Sequence, residues 1–293
     1  MRVLNIGACH IDWVYRLDHI VRAGETISSK SVTNSAGGKG LNQSIALARA
    51  GAEVFHAGCI GEDGLFLKAL MEEAGVDASY LKVVPEKTGH AIIQVDKSGE
   101  NSIILFDGTD EMIDDEYVSD VLSHFEEGDY LILQNEINNI PSIVNMAYDK
   151  GMKIIFNPSP YNEKMQEVDL SKLAWMIVNE VEARDITGND NVMEAFTILK
   201  EKYQNLGVVI TLGKRGCMYT DGNEIKSQDA YKVQAVDTTG AGDTFTGYFF
   251  AGVAYGKTNA DSAKQASLAA AISTTKHGAA TSIPQMSEVE KIW

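Results

Sequence analysis

The sequence predicts an α/β protein with a central, mostly parallel β-sheet and a small additional β-sheet. Short β-rich segments alternate with amphipathic helical segments, which is the pattern of parallel strands joined by crossover helices. Several of the β-rich segments are almost continuously apolar, as expected of strands that are covered on both faces. The chain has 293 residues, 44% of them hydrophobic, so one large domain over residues 1–293 can bury a substantial core.

The elements of the main sheet follow this alternation in order. We expect strands at residues 3–8, 53–59, 130–134, 153–157, 174–179 and 208–212. Helices are expected at 41–50, 64–74 and 141–150, each followed by a glycine (Gly51, Gly75, Gly151) that is typical of a helix C-terminus. The Ala-rich final third predicts helices at 241–254 and 259–276, and a β-like segment at 231–236 precedes them.

Two stretches interrupt the alternation. Residues 12–34 and 88–106 have the pattern of antiparallel strands, and in the second stretch residues 90–95 and 102–106 flank a turn-like tetrad at 97–100. A small sheet that projects from an α/β body can serve as a lid, as a subunit contact or as both, and the residues alone do not distinguish these roles.

Charge and composition exclude several classes of protein. The formal net charge of −16 disfavours binding to nucleic acid or to an anionic membrane surface. The longest apolar run, residues 247–256, is about half of the length that a membrane-spanning helix requires. Three widely spaced cysteines (Cys9, Cys59, Cys217) disfavour a disulfide framework and a structural zinc site. We expect a soluble, cytoplasmic protein.

The strongest chemical signal is Asp-Thr-Thr-Gly-Ala-Gly-Asp-Thr-Phe at residues 237–245. A glycine-rich turn followed by a helix start lets an anion approach free backbone N–H groups, and the helix dipole favours negative charge there. Asp243 lies within the first helical turn, where its negative charge would repel a phosphate. A carboxylate at this position therefore suggests a chemical role, such as accepting a proton from a hydroxyl. The alternative is that Asp243 only caps the helix.

A second glycine-rich segment, Gly-Gly-Lys-Gly-Leu-Asn-Gln at residues 37–43, also precedes a helix. It lacks the spacing of a Walker A loop, and tight turns before helices often have this composition. Asn42 offers both donors and acceptors, which suits a polyhydroxy ligand.

Polar residues also follow several predicted strands: Asp12, Glu136, Asn179 and Glu182. Ligands of open α/β sheets collect beyond the carboxyl ends of the strands, so together these residues describe a cleft, although each one singly is compatible with a turn or a cap. His10, two residues before Asp12, is compatible either with a ligand contact or with a structural role.

The two glycine motifs together resemble the two signatures of the ribokinase-like (phosphofructokinase B type) sugar kinases. Supporting segments occur in family order at residues 7–12, 88–104, 157–160, 179–183 and 211–216. The resemblance covers almost the whole chain and implies a three-layer α/β/α fold with a β-sheet lid, ATP-dependent phosphorylation of a sugar hydroxyl, and a homodimer formed through the lid. The expected substrate is D-ribose, and the alternatives are a nucleoside, fructose or a sugar acid on the same fold. A catalytically silent sugar-binding module is the remote alternative.

The resemblance also assigns roles by position. Asp243 corresponds to the catalytic base, and the amides of Gly240, Ala241 and Gly242 to an anion hole for the transferred phosphoryl group. The implied sugar contacts are Asp12, His10, Gly38, Lys39, Asn42, Glu136 and Asp243. The implied ATP contacts are Asn179, Thr211, Leu212, Gly213, Lys214, Gly216, Gly242 and Ser267.

Two cations are implied as well. Glu182 corresponds to a position that organises Mg²⁺ through water, and Mg²⁺ is in any case needed to neutralise the phosphates. A monovalent cation, K⁺, would lie beside the anion hole, at Asp237, Thr239, Ser273, Lys276, Gly278 and Ser282. The alternative for Asp237 is that it only caps the turn.

The sequence departs from ribokinases at places that bear on the sugar. His10 replaces the usual Asn, and Phe-Asp-Gly-Thr-Asp at 106–110 replaces the Gly-Ala-Asn that usually follows the lid hairpin. Ser267 replaces a larger polar residue near the adenine. None of these changes falls on the phosphoryl-transfer residues.

Overall fold

A nine-stranded sheet forms the centre of the protein. The computed structural model describes residues 1–222 and 224–292. Its strands, in chain order, are β1 (Val3–Ile6), β2 (His10–Arg16), β3 (Ser31–Gly37), β4 (Val54–Ile60), β5 (Asp77–Val83), β6 (His90–Val95), β7 (Asn101–Phe106), β8 (Tyr130–Gln134), β9 (Lys153–Asn157), β10 (Trp175–Asn179), β11 (Gly207–Thr211), β12 (Cys217–Asp221) and β13 (Glu224–Gln228).

The large sheet is mostly parallel. Its spatial order is β13-β12-β11-β10-β9-β8-β1-β4-β5, and every pair from β11 to β5 is parallel. β12 and β13 form an antiparallel edge. The chain adds strands on one side of β1 first and then returns to place β8 on the other side. The carboxyl ends of β1 and β8 are therefore the switch point where ligands of such sheets bind.

Helices cover both faces of the sheet. They are α1 (Lys39–Arg49), α2 (Leu65–Glu73), α3 (Asp115–Ser123), α4 (Ile140–Asp149), α5 (Glu180–Thr187), α6 (Val192–Lys202), α7 (Ala241–Ala254), α8 (Asn259–Ser273) and α9 (Met286–Glu290). The core accordingly has two halves. One contains Leu41 of α1 and Tyr248 of α7, and the other contains Ile143 of α4 and Phe196 of α6.

A second, four-stranded sheet has the order β3-β2-β6-β7. β2 pairs antiparallel with β3 and parallel with β6, and β6 forms a hairpin with β7. The predicted three-layer α/β/α class with a small β-sheet lid is thus confirmed, and the strands of the lid lie at residues 10–16, 31–37, 90–95 and 101–106.

Most elements lie where the sequence predicts them, and the differences have physical reasons. Residues 130–134, 153–157 and 241–254 match without a shift. The strand expected at 231–236 is wrong: these residues find no partner strand and instead line a cleft, while the Val236 N–H bonds to the carbonyl of Thr274 at the end of α8. The sequence analysis did not identify β5, β12 and β13. β5 and β13 are the two edge strands of the sheet and have exposed positions, and β12 lies beside β13 and ends in the polar pair Thr220 and Asp221, so none of the three has a long apolar run.

Within the described part of the chain, none of the helices has the length and hydrophobicity to cross a membrane.

Candidate active site

The N-terminus of α7 presents both free backbone donors and a buried carboxylate. Gly240 precedes the helix with φ at 72°, a left-handed conformation that disfavours any side chain. The N–H groups of Gly240 and Gly242 meet no acceptor among residues 1–222 and 224–292, whereas the N–H of Ala241 makes a long 3.3 Å bond to the carbonyl of Thr238. Asp243, one turn into the helix, is 7% exposed. This geometry provides an anion site beside a carboxylate.

Two amide side chains from α1 hold the carboxylate of Asp243. Asn42 Nδ2 donates to Asp243 Oδ2 at 3.1 Å, and Gln43 Nε2 donates to Asp243 Oδ1 at 2.9 Å. All three side chains are buried. Asn42 Oδ1, by contrast, is a buried acceptor without a donor among the described residues.

Close packing of α1 against the end of β1 requires glycine. Gly38 has φ at 89°, and a Cβ at Gly40 would lie 2.7 Å from the backbone nitrogen of Ala8. The glycines therefore allow the start of α1 to pack against the carboxyl end of β1. The chain continues from there into β2, which contains His10 and Asp12.

Lys39 lies among three carboxylates, those of Asp243, Glu136 and Glu182. The charge of Asp243 raises the pKa of Lys39, burial opposes this, and Glu136 and Glu182 add to the increase. The ammonium group is therefore charged at neutral pH. The backbone N–H of Lys39 also donates to Glu136 Oε2 at 2.6 Å, which ties α1 to the residue that follows β8.

Asp12 and Glu136 both lie close enough to His10 to act on its charge. Burial raises the pKa of the Asp12 carboxyl, and the charge of His10 opposes the increase. Burial likewise raises the pKa of Glu136, against the opposing effects of His10 and Lys39. The Asp12 carboxylate occupies the space that a side chain at Gly37, its neighbour on β3, would fill.

His10 forms an ion pair with Asp110, with 2.6 Å between Nε2 and Oδ2. The His10 side chain is 11% exposed and that of Asp110 is 2% exposed. Burial disfavours the charged imidazole, but the hydrogen bond and charge of Asp110, together with Glu136 and Asp12, raise the pKa of His10 to about 9. Nδ1 of the ring makes no hydrogen bond to any described residue.

A cleft of about 860 Å³ extends from the α7 N-terminus along α8 and the turn after β11. Of the residues that the sequence analysis assigned to ATP, it is lined by Thr211, Gly213, Lys214, Gly216, Gly242 and Ser267. Leu212 does not line the cleft, because its side chain packs against the hydrophobic core. Tyr231, Val233 and Phe245 supply an apolar wall suited to a planar base.

Asn179 and Glu182 form a capping box at the start of α5. The N–H of Glu182 donates to Asn179 Oδ1 and the N–H of Asn179 donates to Glu182 Oε2, both at 2.9 Å. This leaves the Asn179 amino group and Glu182 Oε1 for other partners. The two residues thus fulfil the capping role, and the second carboxylate oxygen of Glu182 remains suitable for a hydrated divalent cation.

Asp237 joins the 237–240 turn to the loop after α8. Its Oδ1 accepts from the N–H and hydroxyl of Thr239 at 3.0 and 2.7 Å, and its Oδ2 accepts from the N–H of Gly278 at 2.9 Å. Burial opposes ionisation, but these donors hold the pKa of Asp237 below its usual value.

The other side chains assigned to the monovalent cation are engaged locally. The hydroxyls of Ser273 and Ser282 donate to the carbonyls of Ala270 and Ala279, and Lys276 pairs with Glu288. No group of three or more His, Cys, Asp or Glu side chains within residues 1–222 and 224–292 is arranged to hold a metal ion. Any cation here would depend on backbone carbonyl oxygens.

Sequence reasoning assigned no role to Gln43, Asn157, Gln134 or Asp110. Gln43 was part of a recognised motif, and a polar residue on the buried face of a helix was the available signal. Asp110 was visible only as a departure from the family pattern. Its pairing with His10 joins residues 100 positions apart, which no local pattern reveals.

Comparison with known proteins gives matches over nearly the whole chain. The family model described as pfkB family carbohydrate kinase matches residues 2–286. A ribokinase from Haemophilus influenzae is 33% identical over an alignment of 293 residues, which covers 97% of this chain and 95% of the relative. Among solved structures, a ribokinase from Cryptococcus neoformans in complex with ADP has a TM-score of 0.89 and 36% identity, covering 100% of this chain and 99% of that one.

A ribokinase from Arabidopsis thaliana, solved with ribose and ATP, also has a TM-score of 0.89, with 26% identity and coverage of 99% and 98%. The family match extends over nearly the whole chain and includes both glycine motifs around Asp243. The chain therefore belongs to the pfkB family of carbohydrate kinases.

Proposed function

We propose that the protein transfers the γ-phosphoryl group of ATP to D-ribose and forms ribose 5-phosphate. The full-length similarity to ribokinases, including one solved with ribose and ATP, supports this choice of substrates. The observation that carries the chemistry is the first turn of α7, where a buried carboxylate and free backbone N–H groups lie side by side.

The chemical step is an in-line displacement. The attacking hydroxyl oxygen of the sugar forms a bond to the γ-phosphorus while the bond from that phosphorus to the leaving oxygen of ADP breaks. Asp243 accepts the hydroxyl proton. The N–H groups of Gly240 and Gly242 stabilise the negative charge that develops on the transferred group, with a weaker contribution from Ala241.

The sugar is placed by groups at the carboxyl ends of β1 and β8. Asn42 Oδ1, buried and without a donor, is suited to accept a hydrogen bond from a sugar hydroxyl beside Asp243. Asp12, Glu136 and the imidazolium of His10 supply further acceptors and a donor, while Gly38 and Lys39 form the adjacent wall. The excess of carboxylates in this part of the cleft favours a neutral sugar over a sugar acid.

ATP occupies the cleft between α8 and the turn after β11. The base would lie against Tyr231 and Val233, near Ser267, and the phosphates would point to the α7 N-terminus. Glu182 Oε1 and the amino group of Asn179, which the capping box leaves without a partner, would serve the phosphates and a hydrated Mg²⁺, and Mg²⁺ would neutralise the β- and γ-phosphates. The all-oxygen donors of the 237–240 turn and the 278 loop suit K⁺ as an activating cation.

The experiment that tests this function measures ADP release with Mg-ATP across D-ribose, fructose, a nucleoside and a sugar acid. We expect turnover to be highest on D-ribose. Asp243→Asn should lower kcat by at least ~10²-fold with little change in ATP affinity, because only the proton acceptor is lost.

Each alternative gives a different result. Turnover on another member of the panel, with none on ribose, would support the kinase chemistry and show that ribose is not the substrate. Sugar binding without ADP release would indicate a silent binding module. Near-normal turnover of Asp243→Asn would exclude this residue as the base.

A further inference from the structure

A chain of buried amide side chains leads from the centre of the sheet to Asp243. Gln134 Nε2, at the end of β8, donates to Gln43 Oε1 at 2.8 Å and to Asn5 Oδ1 at 3.1 Å. Gln43 Nε2 in turn donates to Asp243 Oδ1 at 2.9 Å. The hydrogen bonds from Gln134 to Gln43 and from Gln43 to Asp243 therefore both donate in the direction of the carboxylate. The first polarises the second, and this stabilises negative charge on Asp243.

The orientation of the Gln43 amide is fixed. Its Nε2 also donates to Asn157 Oδ1 at 3.0 Å, and Asn157 is itself held because its Nδ2 donates to the carbonyl of Ile177 at 2.9 Å. A reversed Gln43 amide would set its oxygen against both the Asp243 carboxylate and Asn157 Oδ1. The buried side chain thus has one orientation, in which all of its donors and its acceptor are used.

The end of the network away from Asp243 lies on the central strands of the sheet. Asn5 Nδ2 on β1 donates to the carbonyl of Gly40 at 2.8 Å and to Ser44 Oγ at 2.9 Å, and Ser44 Oγ lies 2.8 Å from Nδ1 of His56 on β4. Asn5, Ser44 and His56 are all fully buried. The network therefore connects β1, β4, β8 and β9 to α1, and gives Gln43 a rigid support that a loop residue would lack.

We propose that Gln43 is a positioning residue for the reaction: it fixes the carboxylate of Asp243 in the orientation that accepts the proton of the sugar hydroxyl. The inference rests on the proposed function, because it assumes that Asp243 is the base. Gln43 itself need not touch either substrate. Since Asp243 is also held by Asn42, which is placed to bind the sugar, loss of Gln43 should weaken the chemical step more than substrate binding.

Steady-state kinetics of Gln43→Met test this separation. Methionine retains the approximate volume but cannot donate to Asp243. We expect kcat to fall by ~10- to 10²-fold while KM for sugar and for ATP changes by less than about 3-fold. Gln265→Met is the matched control. It removes another buried amide, on α8, that bonds to Lys257 outside the cleft, and its kcat should stay within about 2-fold of the unsubstituted protein.

A double substitution distinguishes positioning from general structural damage. If Gln43 acts through Asp243, adding Gln43→Met to Asp243→Asn should change the residual kcat by less than about 2-fold, because the group that it positions is already lost. A second loss of the same size as in the single variant would overturn the proposal. So would an unchanged kcat in Gln43→Met. If that variant does not fold, Gln43→Leu, which is also uncharged and cannot donate to Asp243, takes its place in both experiments.

A crystal structure of the Gln43 variant separates this inference from the proposed function. We expect the Asp243 carboxylate to rotate away from its present orientation or to occupy more than one. A carboxylate that retains its orientation would overturn the positioning role even if the substrate were not ribose. Absence of turnover in the unsubstituted protein on every sugar and nucleoside would instead count against the proposed function.

Discussion

At the scale of single residues, the charges in the cleft are set by neighbours that are distant in sequence. His10 and Lys39 keep their protons because buried carboxylates surround them. Asp12 and Glu136 lie in the same environment, where burial raises the pKa of each carboxyl. The charges of the site are therefore coupled, and the loss of one charge changes the pKa values of the neighbouring groups.

The His10–Asp110 pair gives stability a defined dependence on pH. The pKa of His10 is about 9 in the fold and 6.5 in a free side chain, so the contribution is fully present below pH 6.5 and is lost as pH rises through 9. At acidic pH the pair is lost when Asp110 is protonated, since burial raises the pKa of that carboxyl. Between pH 6.5 and 9.5, the free energy of unfolding should fall by about 1–3 kcal/mol more than in His10→Asn.

Urea unfolding of both proteins at several pH values measures this difference directly. His10→Asn is the appropriate variant because asparagine is polar but carries no charge at any pH in this range. Parallel stability curves for the two proteins over this range would contradict a charged His10.

At the scale of elements, the start of α7 depends on the loop that follows α8. Asp237 bonds to Thr239 within the turn and to Gly278 across to that loop, and the carbonyl of Thr274 accepts from the Val236 and Asp237 N–H groups. A cation held between the turn and the loop would fix the anion-binding N–H groups of Gly240 and Gly242 without touching the sugar.

The proposed cation site predicts a salt effect. Replacing Na⁺ with K⁺ at constant ionic strength should raise kcat, because a bound K⁺ would order the 237–240 turn that carries the anion-binding N–H groups. Asp237→Asn should reduce the stimulation, since the turn loses the negative charge that balances the cation. Equal rates in both salts would mean that Asp237 serves only as a cap.

At the scale of the whole molecule, both faces of the small sheet carry exposed apolar side chains, and one of these faces also carries Asp12. The strand register places Ala91 and Leu105 opposite Asp12 on the same face, and places Ile93 and Ile103 opposite Val14 two positions further along. Ile103 and Leu105 are 51% and 59% exposed. We propose that the protein forms the homodimer through its small sheet that the sequence analysis expects, and the exposed apolar side chains on the lid support this proposal.

A comparison of two faces of the same strand tests the dimer. Leu105→Glu should convert the protein to a monomer, because it places a charge within the proposed interface. Ile104→Glu is the matched control, since Ile104 is equally exposed but lies on the opposite face of β7. Light scattering during size-exclusion chromatography gives the mass of each variant. A dimeric Leu105→Glu protein, or a monomeric unsubstituted protein, would contradict the proposal.

The sequence by itself determined the fold class and the two glycine motifs, and it gave the hypothesis that Asp243 is the catalytic base. These are local properties: apolar runs for buried strands, glycines where the backbone turns or approaches another segment, and a carboxylate one turn into a helix. The strands at 130–134 and 153–157 follow from such runs alone. Strands β5, β12 and β13 did not, because polar residues interrupt their apolar runs.

Only the tertiary structure decided which distant side chains meet. Gln43 donates to Asp243 across 200 positions, and His10 pairs with Asp110 across 100. It also showed that residues 231–236 line a cleft and do not form a strand. The physical reason is that a hydrogen bond or ion pair depends on distances of about 3 Å between side chains. Such distances are set by the packing of α1 and α7 against the sheet, and no local pattern of residues specifies them.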